Sequence, residues 1–302
     1  MSSIIDVRGL TKEFNEITAV DNLTFTVKER EVYGFLGENG AGKSTTIRML
    51  LTLIRPTNGE IKIFGLSLST HRKEILQRAG AIIEKPDLYK YLTAIENLNL
   101  FATMSGLKLN RKQLMGKLEK VGLAERADSK IKTYSQGMKQ RLGIAVALVH
   151  DPDLIILDEP MNGLDPQGIA DIRNLINHLS KDLAKTIFIS SHLLSEIEQV
   201  ADSLLIIHKG KKIAEGSLQE LLNPEQSRIE IETKSAKDLE LQLKQTAWGS
   251  KIIEVNGEKL IMQLKRDEVP ILIQQITEMK IDIYSIHKKN SLEDYFLSLT
   301  AN

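Results

Sequence analysis

The sequence predicts an α/β fold organised on a phosphate-binding loop, and three stretches carry that expectation. The apolar run Val32-Tyr33-Gly34-Phe35-Leu36 reads as a buried strand. It runs into Gly37-Glu38-Asn39-Gly40-Ala41-Gly42-Lys43-Ser44-Thr45 and then into the helix-like Thr46-Ile47-Arg48-Met49-Leu50-Leu51. A second apolar run, Leu154-Ile155-Ile156-Leu157, ends in Asp158-Glu159, and a third, Thr186-Ile187-Phe188-Ile189, ends in Ser190-Ser191-His192. Buried parallel strands present their functional groups at their C-terminal ends, so all three stretches place chemistry on one edge of one sheet.

The glycine-rich stretch has a defined chemistry. Gly37, Gly40 and Gly42 let backbone N–H groups around Asn39, Ala41 and Thr45 turn towards an anion, and the helix N-terminus adds its dipole. The Lys43 ammonium reaches β- and γ-phosphates, and the Ser44 hydroxyl is placed to ligate Mg²⁺. Glycines after a strand can also mark a tight turn alone, but with the full G-x4-G-K-S spacing and both flanks in place the stretch points to a nucleoside triphosphate.

The bulk properties set the frame. With 302 residues there is room for one medium and one small domain. Lys plus Arg and Asp plus Glu both number 40, so no global field favours nucleic acid or an anionic membrane, and no nucleic-acid partner is expected. The absence of cysteine excludes disulfides and thiolate metal sites and fits a reducing compartment. The N-terminal residues lack a basic segment followed by an apolar core, and no apolar run approaches the ~20 residues needed to span a bilayer. The expectation is a cytoplasmic chain that reaches any membrane through a partner.

Along the chain, residues 4–10 and 22–27 alternate as an antiparallel hairpin ahead of the loop-bearing strand. Phe14 is read as lying between the two strands, either as a core or turn residue or as an aromatic able to stack on a purine. Residues 60–65 form a short strand after the turn Pro56-Thr57-Asn58-Gly59, and residues 79–83 another, ending at Glu84. From 92 to 150 the pattern is helical, opened by a Thr93/Glu96 capping box. Asp158 suits an Mg²⁺ shell and Glu159 can orient and deprotonate an attacking water, the alternative being a simple acidic strand end. His192 sits just past a strand end on the same edge, where an imidazole could meet a γ-phosphate, whereas the other histidines read as surface or core residues. Residues 204–214 close as a hairpin. After residue 216 a βαββαβ order predicts a small ferredoxin-like split sandwich with a final helix, in which dimer stabilisation or regulation is the expected role.

Between the helical insert and the acidic strand lies Tyr134-Ser135-Gln136-Gly137-Met138-Lys139-Gln140-Arg141. It resembles the Leu-Ser-Gly-Gly-Gln signature of ATP-binding cassette ATPases, keeping Ser135 and Gly137 and departing at Tyr134, Gln136 and Met138. With the phosphate loop, Asp158-Glu159, Asn162-Gly163-Leu164-Asp165 and His192 in order, residues 1 to about 216 resemble a cassette ATPase. The resemblance implies a P-loop NTPase core with an antiparallel β subdomain and a helical subdomain at about 85–150, followed by a small α+β domain over 217–302. It implies ATP and Mg²⁺ as ligands, Phe14 as the adenine-stacking aromatic, Ser135 and Gly137 as contacts to the partner's nucleotide, Asp165 in the loop between protomers, and His192 as the switch histidine. It further implies a head-to-tail homodimer and integral membrane permease subunits as partners.

One departure stands out, because the family normally carries Gln where this chain has Glu84. That position senses Mg²⁺ and the attacking water, so Glu84 either replaces Gln as an isostere or adds a charge near the metal. The Ile82-Ile83-Glu84 context and the tail at 291–300 resemble ATPases of the bacitracin and lantibiotic self-protection exporters. The expected function is therefore the ATPase subunit of an exporter. The alternatives are a cassette ATPase not involved in transport, or a nucleotide-gated regulatory dimer.

Overall fold

In a computed structural model of the chain, residues 2–222, 227–265, 267–279 and 281–288 are described. The tail at 291–300 and the expected final helix lie outside them. The chain forms two compact units, Met1–Gly216 and Ser217–Asn302.

In chain order the first unit contains β1 (Ser3–Phe14), β2 (Ile17–Lys28), β3 (Val32–Leu36), α1 (Lys43–Leu50), β4 (Asn58–Ile63), β5 (Leu66–Ser67), α2 (Arg72–Gln77) and β6 (Ala79–Ile82). The insert contributes α3 (Ala94–Met104), α4 (Arg111–Lys120) and α5 (Gln136–Ala147). Then follow β7 (Leu154–Asp158), α6 (Pro166–Asn177), β8 (Thr186–Ser191), α7 (Leu194–Ile197), β9 (Ser203–His208) and β10 (Lys211–Ser217).

These strands form two sheets. One is ordered β2-β1-β4-β5, with every pairing antiparallel. The hairpin is longer than its alternating residues indicated, because β1 runs on to Phe14, which pairs with Ile17 across the turn. Phe14 therefore ends a strand, and at 46% exposure it is no core residue. The second sheet is ordered β10-β9-β3-β8-β7-β6, and β9, β3, β8, β7 and β6 run parallel. Its central strands have apolar middles and are buried on both faces, as a covered parallel sheet demands, with the polar residues Asp158, Thr186, Ser190 and Ser191 confined to strand ends. The sheets meet where Phe25 of β2 packs on Tyr33, Phe35 and Phe188, with ring centroids 6.0, 6.0 and 6.1 Å away.

The order adds what the apolar runs left open. The acidic strand β7 is not the neighbour of the loop-bearing β3, since β8 lies between them with Asp158 registered against Ser190 and Leu36 against Ser191. A parallel partner can come from anywhere in the chain, so apolar runs alone do not reveal which strand intervenes.

In the insert, Thr93 and Glu96 form the expected capping box on α3, and Asn110 and Gln113 form a second on α4.

The second unit contains α8 (Leu218–Leu222), β11 (Ser227–Thr233), α9 (Ala236–Lys244), β12 (Ile252–Asn256), β13 (Lys259–Leu264), α10 (Glu268–Glu278) and β14 (Ile283–Lys288). Its sheet is ordered β12-β13-β11-β14, so each strand-helix-strand crossover passes over one intervening strand. Leu239, Leu243, Leu260, Met262, Leu272 and Ile276 fill its core, and the Trp248 indole N–H donates to Gln275 Oε1 at 2.6 Å. No helix among the described residues is long and apolar enough to cross a membrane.

Candidate functional site

The segments that follow β3 and β7 form a cleft of about 250 Å³ lined by Ala19, Asn39, Gly40, Gly42, Lys43, Ser44, Thr45, Glu159 and Asn162. The loop after β3 is shaped by glycine where nothing else fits. Gly42 has φ +105°, and a Cβ there would sit 2.5 Å from the Ala19 carbonyl oxygen. Gly42 also caps α1 without a side-chain oxygen, so the first-turn donors of this helix face the cleft uncovered by their own chain. Gly37 and Ala41 are buried behind the loop, and the Ala41 N–H closes it on the Glu38 carbonyl at 3.1 Å.

Lys43 is buried and fully engaged. Its Nζ donates to the Gly37 carbonyl at 2.7 Å and the Glu38 carbonyl at 3.1 Å, and lies 3.2 Å from Glu159 Oε1. The other Glu159 oxygen, Oε2, meets His192 Nδ1 at 2.5 Å. One carboxylate thus bridges the phosphate-loop lysine and the histidine that follows β8. Glu159 holds a left-handed backbone, φ +50°, uncommon for a residue with a side chain.

Asp158 is fully buried at the end of β7. Its Oδ1 accepts from the Ser190 hydroxyl at 2.6 Å, while Oδ2 has no hydrogen-bond partner among the described residues. An orphaned, buried carboxylate oxygen is costly unless something cationic faces it. Asp158 and the Ser44 hydroxyl therefore fit Mg²⁺, which keeps waters and substrate phosphates and needs only one or two protein ligands.

The remaining expected residues lie outside this lining. Ser135 caps α5, accepting the Met138 N–H at 3.2 Å from an exposed position, with Gly137 in the first turn behind it. Phe14 stands at the tip of the first hairpin with Lys12 Nζ 4.8 Å from its ring centroid. Glu84 has φ +58° and turns its carboxylate to Arg48 of α1 at 2.6 Å, with 62% of the side chain exposed. Asp165 caps α6, accepting the Gly168 N–H at 3.0 Å.

Three residues were not anticipated. Asn162 lines the cleft. Ser190 ties Asp158 to Glu159, and its only sequence signal is a hydroxyl at the end of an apolar strand. Glu196 of α7 is buried beside the histidine loop, within reach of the Ser191 hydroxyl at 3.4 Å. Burial raises its pKa above the ordinary carboxylate value, against the hydrogen bond from Ser191.

Comparison with known proteins gives the chain's relatives. The ABC transporter family matches residues 20–162. The bacitracin transport ATP-binding protein BcrA of Bacillus licheniformis is 44% identical over 302 residues, covering 99% of this chain and 98% of the relative. The lantibiotic transport ATP-binding protein SrtF of Streptococcus pyogenes is 41% identical over 226 residues, 73% of this chain and 96% of its own length. Among solved structures, a dimeric ATP-binding cassette in a post-hydrolysis state with ADP and Pi superposes with TM-score 0.63 at 26% identity, covering 71% of this chain and 98% of that one.

Proposed function

This chain belongs to the ATP-binding proteins of ABC transporters, whose members hydrolyse ATP to power transport, and we propose that it does so as a head-to-tail homodimer. In this reading two copies close on ATP and drive separately encoded permease subunits from the inner face of the membrane, exporting a peptide antibiotic of the bacitracin or lantibiotic kind. The observation that carries it is the Glu159 carboxylate at the cleft bridging Lys43 and His192, with a buried Asp158 oxygen on the preceding residue left without a hydrogen-bond partner.

The residues divide the work as follows. The loop amides from Gly37 to Thr45 and the Lys43 ammonium bind the triphosphate through charge-assisted hydrogen bonds. Ser44 and Asp158 would hold Mg²⁺, which when bound neutralises charge on the β- and γ-phosphates. Glu159 takes the proton of the attacking water, and His192 fixes Glu159 through the Oε2 contact and faces the γ-phosphate. Lys43 is paired with Glu159 across the cleft. Binding of a γ-phosphate exchanges that contact and frees the carboxylate as a base.

The cleft of one chain is smaller than the ~300–1,000 Å³ of pockets that enclose a drug-sized ligand. That size supports a site completed by a second copy, whose Ser135 and Gly137 would close over the phosphates and whose Asp165 loop would lie alongside, with Phe14 against the adenine. Steady-state ATPase assays test the reading together with co-purification of the membrane protein and antibiotic survival of a host carrying both genes. Loss of turnover in Glu159→Gln with ATP binding retained, and antibiotic tolerance lost with it, is expected. Full turnover by a chain that never pairs would overturn the dimer.

A further inference from the structure

We infer that Ser190 is a positioning residue that sets both acids of the cleft at once, selecting which Asp158 oxygen faces the metal and holding the backbone from which Glu159 reaches the water. This rests on the reading of Asp158 and Glu159 given above and adds a residue to it.

The geometry leaves the hydroxyl little choice. Ser190 Oγ lies 3.0 Å from the Glu159 backbone nitrogen and 2.6 Å from Asp158 Oδ1. A backbone N–H can only donate, so the serine oxygen accepts there. Its single proton is then given to the carboxylate. The 2.6 Å separation is that of a short O–H···O⁻ bond, roughly twice as strong as a neutral one. Ser190 and Asp158 are both fully buried, so this bond has no competing water.

The strand register makes the arrangement possible. Asp158 and Ser190 are direct partners across the parallel β7/β8 pair, and side chains at such a pair rise on the same face of the sheet. Asp158 Oδ1 is thereby occupied, and Oδ2 is the oxygen left buried without a partner. Without the hydroxyl both oxygens would be unpaired and the carboxylate free to turn. The same hydroxyl anchors the amide of Glu159, whose left-handed backbone is strained for a side-chain-bearing residue and persists only where its surroundings impose it. A single O–H thus couples the metal-facing acid to the water-facing one.

The test compares Ser190→Ala, Ser190→Thr and Asp158→Asn by the Mg²⁺ dependence of ATP binding, by kcat and KM for ATP, and by the melting temperature of each variant. For Ser190→Ala the Mg²⁺ concentration giving half-maximal enhancement of ATP binding is expected to rise about 10-fold or more, as loss of an outer-shell partner usually costs 10–100-fold. Its kcat falls, while ATP binding in EDTA stays at the parental value. Ser190→Thr keeps the hydroxyl and therefore the parental Mg²⁺ dependence, even where its extra methyl lowers the melting temperature. Should Ser190→Ala fail to fold, Ser190→Cys serves in its place, because a thiol of similar size is a weak donor. An unchanged Mg²⁺ dependence in a folded Ser190→Ala or Ser190→Cys protein overturns the inference, as does an equal loss of binding in EDTA. If Asp158→Asn shifts the Mg²⁺ dependence and Ser190→Ala does not, only the role of Ser190 falls. If Asp158→Asn shifts nothing, the placement of Asp158 falls with it.

Discussion

Two helix N-termini in the same unit face an anion in opposite ways. Helix α1 begins at Gly42, with no side-chain cap, and opens into a cleft already supplied with a buried lysine and a glutamate. Helix α5 begins at Ser135, whose hydroxyl caps its own helix from the surface, with a glycine in the first turn and no acid or base of the cleft beside it. The first has charge, burial and a base, and the second offers neutral donors and a dipole end to whatever approaches. In the proposed site split between two chains, the strong contacts would hold the nucleotide on one copy and the weak ones would sense it from the other.

The largest effect should come from the charged half. Glu159→Gln is expected to lower kcat by roughly 10²–10⁴-fold, the range that a general base contributes, while ATP still binds, as equilibrium titration would show. Parental turnover in that variant would remove the base from this cleft. Lys43→Ala should weaken ATP binding by about 2–5 kcal/mol, since it deletes one partner of a buried charge contact, and unchanged binding would break the assignment of the loop.

The neutral half is probed by Gly137→Asp. A Cβ there would lie 3.7 Å from Gly168 Cα, an ordinary contact, and an acid in the first turn of a helix suits its dipole, so the chain should fold. The new carboxylate would repel a triphosphate held by the partner. ATP-dependent pairing, followed by light scattering in a Glu159→Gln background, should be lost, and in the otherwise unaltered chain turnover should fall at least about 10-fold, since like charges brought together cost several kcal/mol. Binding of ATP to the single chain should persist, and pairing that survives would show that α5 does not meet the nucleotide.

Smaller effects sharpen the picture around the cleft. Glu84 and Arg48 are both substantially exposed, and such pairs contribute about 0–1 kcal/mol. Glu84→Gln should therefore leave stability and ATPase activity near parental while altering transport, and total loss of hydrolysis would place Glu84 in the chemistry itself. Glu196 should give the smallest change, readable only through pH. Because burial raises its folded pKa, the folded chain favours the protonated form, and stability is lost as pH rises from the ordinary carboxylate value through the folded one. Glu196→Gln should thus raise the melting temperature at pH 7–8 and have little effect near pH 4. A gain confined to acid pH would contradict the direction of the shift.

Much of this site is legible in the sequence because its chemistry is written at the ends of apolar runs. Lys43, Glu159 and His192 each follow a strand that could only be buried, and Asp158 ends one; buried parallel strands deliver their ends to one edge. The Thr93/Glu96 and Ser135 caps are equally local, depending on neighbours three residues away. What stayed hidden depends on partners distant in the chain. The place of β8 between β3 and β7, the hydroxyl of Ser190 against Asp158, and the turn of Glu84 towards Arg48 arise from contacts 31 to 36 residues apart or from sheet order. Phe14 illustrates the opposite limit, since its strand continued past the last clearly alternating residue and carried it to an exposed tip.

The central position of β8 gives that strand little tolerance for change in length. Side chains on a strand alternate between faces, so one residue inserted among Ile187, Phe188 and Ile189 would bring a different side chain opposite Asp158 and move the histidine away from Glu159 in the same stroke. Substitutions within these apolar positions can be absorbed by repacking, but a shift of frame cannot. In chains that keep this chemistry, the number of residues between the start of β8 and its histidine should vary less than their identity.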